Sequence, residues 1–155
     1  MIVQRIQVLN YKCLRYIDQE LRPFQILVGP NASGKSTFLD ILVFLQDLLR
    51  DGLQKAVEKR ARSVRELIWQ MKAEAFEIAV EFKLPDSVQH QQKDPYSRIR
   101  YEIRVGTDPE GVLSILLENL WLIRESDRKE ALSSVEPQSI VKQPKKTPTG
   151  WRKVM

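Results

Sequence analysis

The amino-acid sequence predicts an α/β fold, a mixed sheet carrying an antiparallel strand arm, on three observations. A short and nearly continuous apolar run, Phe24 to Val28, meets a glycine-containing turn and then a long apolar stretch from Phe38 to Leu49. Two segments, Phe76 to Leu84 and Ile99 to Val105, alternate apolar residues with mostly charged ones at a period of two. The 155 residues are 43% apolar and 29% charged, which suits one globular core and leaves no room for a second domain of ordinary size.

Each element follows from its own pattern. From Ile2 to Leu9 apolar and polar residues nearly alternate, with Ile2, Ile6 and Val8 on one face, the period of a half-buried strand. Leu14 to Leu21 is a weaker strand, its apolar residues set among charges, and Pro23 closes it. Phe24, Ile26, Leu27 and Val28 read as a central strand covered on both faces, because the run is almost unbroken. The stretch FLDILVFLQDLLRDG is too long for a strand and is apolar around most of its circumference, so it reads as a helix buried on most sides and stopped at Asp51-Gly52. Residues 53–70 favour one or two surface helices, with Ser63 placed to cap VRELIWQM.

The alternation at 76–84 and 97–105 predicts two strands, each with one face in water, joined by the polar loop 85–96. The turn cluster GTDPEG leads into Val112 to Ile123, which fits a helix or a strand; a third strand completing an antiparallel meander is the preferred reading. Residues 1–124 thus form one lobe. Residues 125–155 form a basic, proline-containing tail without periodicity, expected to be poorly ordered. From 126 to 155 there are seven Lys and Arg against three Asp and Glu, so most of the net charge of +5 lies in this tail and the lobe is nearly neutral.

A single cysteine, Cys13, excludes an internal disulfide and a multi-thiolate zinc site. The N-terminus carries Arg5 and interleaved polar residues, so it lacks a secretory apolar stretch, and the sequence has no run near the ~20 apolar residues of a membrane helix. The expectation is a soluble, cytoplasmic protein without a membrane partner.

Gly29, Gly34, Lys35 and Ser36 satisfy G-x-x-x-x-G-K-[ST], the phosphate-binding Walker A loop. Phosphate oxygens need several N–H donors converging on one point, and the two glycines permit turns and a close backbone approach that side chains would block. The helix that begins near Lys35 aims its unpaired N–H groups and positive dipole end at the same anion. A chance match is on the order of 0.5% in a chain this long, and the strand-before, helix-after context lowers it further. The nucleotide-binding set is Gly29, Pro30, Asn31, Ala32, Ser33, Gly34, Lys35, Ser36 and Thr37. Lys35 is the catalytic candidate, reaching the β- and γ-phosphates of ATP, and the Ser36 hydroxyl is the ligand for Mg²⁺.

The string GPNASGKST, following IQVLNYKCL and FQILV, resembles the ATPase heads of the ABC, SMC and RecF class, including AAA-labelled ATP-binding proteins related to the OLD family. Those heads open with a strand ending in x-N-[FY]-[KR], here Asn10, Tyr11 and Lys12, and use a G-x-N-x-[SA]-G-K-S-T loop, matched by Asn31 and Ser33. The resemblance, which covers residues 1–124, implies a P-loop NTPase lobe with ATP and Mg²⁺ as ligands. It implies that the strands Phe76–Leu84 and Ser97–Val105 form the arm beside the nucleotide, and that residues after Asn10 lie near the base or ribose. It implies further a homodimer or a separate C-terminal lobe as partner, and DNA or an effector protein beyond that.

Departures from that pattern shape the functional expectation. A Walker B strand ends in Asp-Glu, acids that hold Mg²⁺ through water and position the attacking water; Glu118 follows an apolar run but no second acid follows it, so it reads as an outward strand residue. Leu132 to Glu136 superficially matches the L-S-G-G-[EQ] signature, but Val135 replaces a glycine, and the match reads as coincidence. The expectation is a lobe truncated before the Walker B half that binds ATP with little turnover alone.

Alternative functions remain at this stage. A small-molecule phosphotransferase would need a cationic lid, for which the 85–96 loop offers Lys93; a GTPase would need an N-K-x-D element that the sequence lacks. A basic DNA- or partner-binding module would use Lys55, Lys59, Arg60, Arg62 and Arg65, a cluster that reads first as a solvated helix face. His90 sits in a polar loop without an orienting partner, Cys13 reads as a small packing residue, and Trp69 and Trp121 read as core or interface aromatics.

Overall fold

The computed structural model describes residues 2–89, 96–124, 137–142 and 151–155. The N-terminal alternation forms β1 (Ile2–Tyr11) and, after a tight bend, β2 (Leu14–Glu20). Asn10 and Lys12 make that bend in the left-handed region, φ 60° and 50°, a conformation Asn tolerates better than most residues. The helix α1 (Lys35–Asp51) ends where Gly52 takes φ 86° and its N–H bonds back to the Leu48 carbonyl, the stop expected at Asp51-Gly52.

A short α2 (Leu53–Glu58) follows, and then two 3-10 turns, Val64–Leu67 and Trp69–Met71. The expected helix over VRELIWQM does not form, and Ser63 makes no side-chain cap. The Lys12 N–H takes the Leu67 carbonyl at 2.7 Å, and a bridge between Tyr11 and Ile68 draws residue 68 into extended backbone, so the helical ladder cannot continue.

The meander is as expected: β3 (Ala75–Lys83), the single turn α3 (Asp86–Gln89), β4 (Tyr96–Thr107) and β5 (Leu113–Arg124). Asp108 closes the β4–β5 turn, its carboxylate accepting from the Val112 N–H and its own N–H donating to the Val112 carbonyl. A two-residue β6 (Arg152–Lys153) completes a six-stranded sheet in the order β2-β1-β3-β4-β5-β6.

Every pairing in that sheet is antiparallel, which corrects the expected mixed sheet. The missing parallel element is the segment Phe24–Val28, which forms no strand in the structure. Phe24, Ile26 and Val28 are 81%, 70% and 88% exposed. A strand exists only by pairing, and the last ladder-like contact before this segment is Leu21 N–H to the Gln4 carbonyl.

One face of the sheet packs on α1. Ile6, Val8, Phe76, Ile78, Val80, Ile103 and Val105 meet Phe38, Ile41, Phe44, Leu45 and Leu48, whose three- and four-residue spacing makes one helix stripe. At the centre the rings of Tyr11, Phe44 and Phe76 lie 5.0 to 5.8 Å apart in tilted and edge-on pairs, each worth about 0.5–1.5 kcal/mol beyond burial. The opposite side of α1 exposes Leu39, Val43 and Leu49, so the helix is buried on one face rather than on most sides.

The other face of the sheet was expected to be wet and is not. Glu77, Glu81, Arg100 and Glu102 are buried, covered by residues 139–142 and by the C-terminal 151–155. Where the sequence offered no periodicity, Ile140 and Val141 pack against Leu9 and Ala79.

Candidate functional site

The loop 29–34 joins the unpaired segment to α1, and of its two glycines Gly34 is required by its backbone conformation. A Cβ on Gly34 would stand 2.9 Å from Leu14 Cδ2, and the residue has φ 89°, which side chains rarely adopt. A Cβ on Gly29 would stand 2.9 Å from Ser33 Oγ. Pro30 to Ser33 form a turn, with the Ser33 N–H 3.3 Å from the Pro30 carbonyl and Ala32 held at φ 63°. Gly34 is the residue preceding the first turn of α1, and the Gly34 carbonyl accepts from Phe38 N–H, so the N–H groups of the first helical turn face outward from the ladder.

Lys35 curls over its own loop. Its ammonium donates to the carbonyls of Gly29 and Pro30 at 2.7 and 2.6 Å and to Ser33 Oγ at 3.2 Å. Asn31, Ala32, Ser33 and Ser36 are exposed, and Thr37 Oγ1 lies 3.3 Å from Cys13 Sγ. A cleft of about 340 Å³ opens beside the loop, lined by Leu14, Ile17, Gln19, Val28, Gly29, Lys35 and Phe38 among others. The structure thus brings Gly29, Pro30, Ser33, Gly34 and Lys35 of the predicted set together around one opening. Cys13 is exposed at its edge rather than packed in a core.

Behind the loop, a charged knot that sequence reasoning missed ties the end of β1 to α1. Asp40 accepts from Tyr11 OH at 2.8 Å, Lys12 Nζ at 2.6 Å and Arg60 Nε at 2.9 Å. Burial alone would raise the Asp40 carboxyl; the hydrogen bonds from Lys12 and Tyr11, with the charges of Lys12 and Arg60, outweigh it and hold the group below the usual carboxylate range. Burial and the neighbouring Asp40 push the Tyr11 phenol far up, so it stays a donor. The signal was present as FLDIL, an acid isolated within an apolar helix. Lys12, expected near a base or ribose, is committed to Asp40.

The proposed nucleic-acid cluster is divided. Arg60 is buried against Asp40 and Asp47, and Lys59 bridges Asp47 and Asp51, while Lys55, Arg62 and Arg65 are exposed. The acids of α1 therefore neutralise two of the five cations. Glu118 accepts from Tyr101 OH at 2.5 Å on β5 and does not line the cleft beside the loop. Trp121 is fully buried, in accord with its reading, and Trp69 carries Arg15 and Lys72 over its ring. His90, Lys93 and Leu132 to Glu136 lie outside the described residues.

An antiparallel sheet packed on a long helix, with a glycine-containing loop at that helix's N-terminus, places the chain among α/β ATPase domains. The AAA ATPase domain model matches residues 1–147, and the chain belongs to that family. Among curated proteins it is similar to the OLD nuclease of Thermus scotoductus (strain ATCC 700910 / SA-01), 47% identical over 38 residues. That match covers 24% of this chain and 7% of the nuclease. Among solved structures it is similar to one from work on ATP-driven dimerization and DNA-stimulated activation of SMC ATPases, with a TM-score of 0.55 and 22% identity over 80% of this chain and 70% of that one. The fold and family are those of an ABC/SMC/RecF-type ATPase lobe. Among the described residues no helix is long and apolar enough to cross a membrane.

Proposed function

We propose that this chain binds Mg-ATP through residues 29–37 and serves as the phosphate-holding part of an ATPase. The observation that carries this reading is the loop itself: Gly34 holds φ 89°, which side chains rarely adopt, the Lys35 ammonium folds over the loop carbonyls, and the loop opens onto the N-terminus of a 17-residue helix. ATP supplies three phosphate groups with the anionic oxygens such a loop recognises. Backbone N–H groups of 31–36 would hold them, and the Lys35 ammonium would exchange its two loop carbonyls for phosphate oxygens. Ser36, exposed on the first turn, would contribute a hydroxyl to Mg²⁺. Among the described residues no group of three His, Cys, Asp or Glu side chains could hold a metal alone, so the ion would depend on nucleotide oxygens as well.

Hydrolysis in this reading needs acids from outside the cleft, because Glu118 is engaged by Tyr101 and does not line it. The similarity to SMC ATPases supports a dimer with DNA as the further partner; an effector protein in place of DNA, and work in the cytoplasm, belong to the same proposal. The exposed run Phe24–Val28 beside the loop supports a partner segment that completes the sheet there.

Titration of a fluorescent ATP analogue against wild type and Lys35→Ala tests the proposal. Wild type binds and the variant loses at least tenfold in affinity, the loss of one charge-assisted contact set. Equal affinity removes it. Turnover of the 155-residue chain alone stays near background; robust hydrolysis would overturn the part of the reading that brings the acids from elsewhere.

A further inference from the structure

We propose that Asp40 is a positioning residue for the phosphate-holding loop: it fixes α1 in rotation and height against the β1–β2 bend, and so sets where Gly34 and the first helical N–H groups stand. The inference rests on the reading of residues 29–37 as an ATP site, and it adds to that site a residue outside the set that would touch the nucleotide.

The four residues 11–14 of the bend run along the first three turns of α1 in order. Leu14 Cδ2 lies where a Cβ on Gly34 would meet it at 2.9 Å, and Cys13 Sγ lies 3.3 Å from Thr37 Oγ1. The Lys12 ammonium and the Tyr11 hydroxyl both donate to Asp40 Oδ2, at 2.6 and 2.8 Å. The Tyr11 ring packs 5.8 Å from that of Phe44. Partners at Gly34, Thr37, Asp40 and Phe44 follow one another by three and four residues, the spacing of a single helix stripe. Of these contacts the two on Asp40 are directional, and one is an ion pair. Apolar contacts tolerate sliding along such a stripe, whereas two donors converging on one carboxylate oxygen do not.

Asp40 is itself held from the other side. Arg60 Nε donates to it at 2.9 Å while Nη1 donates to Asp47 at 2.8 Å and to the Ala56 carbonyl at 2.9 Å. The guanidinium also lies 5.3 Å from the Phe44 ring, so the carboxylate has a fixed backing and cannot follow a displaced bend. The bend, in turn, is strained. Lys12 takes φ 50°, a left-handed conformation that a lysine keeps only where its surroundings impose it. Its N–H is tied to the Leu67 carbonyl at 2.7 Å and its ammonium to Asp40. Loss of the carboxylate therefore leaves the bend attached to residue 67 and loosens it from α1, at the contact that seats Gly34. A shift of about 1 Å there misplaces N–H donors that must converge on one phosphate.

Asp47, two turns further along the same helix, supplies the contrast. It is engaged by Arg60, Lys59 and Arg50, partners that lie outside the bend. The test compares full-length wild type, Asp40→Asn and Asp47→Asn, each first shown to be folded by its urea transition. Without nucleotide, the nuclear Overhauser effect between the Leu14 methyl and the Gly34 α-protons falls at least about twofold in Asp40→Asn, the loss that a shift of roughly 0.5 Å produces at this separation. Asp47→Asn keeps the wild-type intensity although it too loses stability. Affinity for a fluorescent ATP analogue falls roughly five- to fiftyfold in Asp40→Asn and less than about twofold in Asp47→Asn. Lys12→Met, which keeps the carboxylate and removes the ammonium from the bend, gives the same loss of the Overhauser effect and decides the matter if Asp40→Asn does not fold. The proposal is overturned if the Leu14–Gly34 effect is unchanged in Asp40→Asn and Lys12→Met, or if Asp47→Asn alters it equally. Failure of wild type to bind the analogue would instead remove the ATP reading, and the nucleotide-free comparison would still decide whether Asp40 places the loop.

Discussion

The segment before the 29–34 loop and the seat beneath Ile140 invert the usual relation between composition and burial. Phe24, Ile26 and Val28 are apolar and face solvent, whereas Glu77, Arg100 and Glu102 are charged and enclosed. Hydrophobicity sets how much free energy burial would release, about 25 cal/mol per Å² of apolar surface, but a partner surface must exist for it to be released. The charged strands have that partner in Ser139–Lys142, with a hydrogen bond for each main-chain N–H of Ile140 to Lys142. The apolar run has none among the described residues. What a residue contributes to this fold therefore follows its partners more than its polarity.

The largest expected effect tests that conclusion on the enclosed side. Arg100→Met leaves Glu81 and Glu102 buried without their shared cation and lowers unfolding free energy by about 3–5 kcal/mol in urea titration; a loss below ~1 kcal/mol would show that water enters the seat freely. Next comes the loop. Gly34→Ala must adopt φ 89° with its Cβ 2.9 Å from Leu14, costing about 1–3 kcal/mol and shifting the thermal midpoint down, with ATP-analogue affinity falling as well.

The charged knot gives a smaller effect that depends on pH. Asp40 is held below its ordinary value of 3.8 in the folded chain, so the unfolded chain binds more protons as pH falls through that region. Its stabilisation is complete above about pH 5 and is lost as pH falls from there toward the folded value. Asp40→Asn flattens the pH dependence of stability in that window relative to wild type, measured by urea midpoints from pH 7 down to pH 3. The smallest effect belongs to the exposed run: Ile26→Ser changes stability by less than about 0.5 kcal/mol. A loss of 2 kcal/mol or more would mean that the run is covered in solution, and would erase the contrast between the two regions.

Local structure was legible in the sequence. A period of two over Phe76–Leu84 and Ile99–Val105 has no helical equivalent, and Gly29, Gly34 and Lys35 announce their loop because its spacing is a property of consecutive residues. What could not be read depended on distant partners. The alternation of Glu77 and Glu81 with apolar residues looks the same whether the acids face water or Ile140. Arg60 looked like one more solvated cation because Asp40 and Asp47, its buried partners, lie on a helix read for its apolar stripe. Phe24–Val28 had the composition of a central strand, but pairing is decided by neighbours, and the sheet closes β1 directly onto β3 instead.

That closure has a kinetic consequence. The β3-β4-β5 meander pairs residues near in sequence, but β1 and β3 meet only after residues 12–74 are looped out between them. Loop closure is the slow and entropically costly step, so the meander is the natural nucleus and the β1–β3 zipper follows it. Residues 29–34 and α1 lie within the looped-out stretch, so their final placement against the sheet waits on that closure. Destabilising changes at residues 29–34 will accordingly speed unfolding and leave the folding rate nearly untouched.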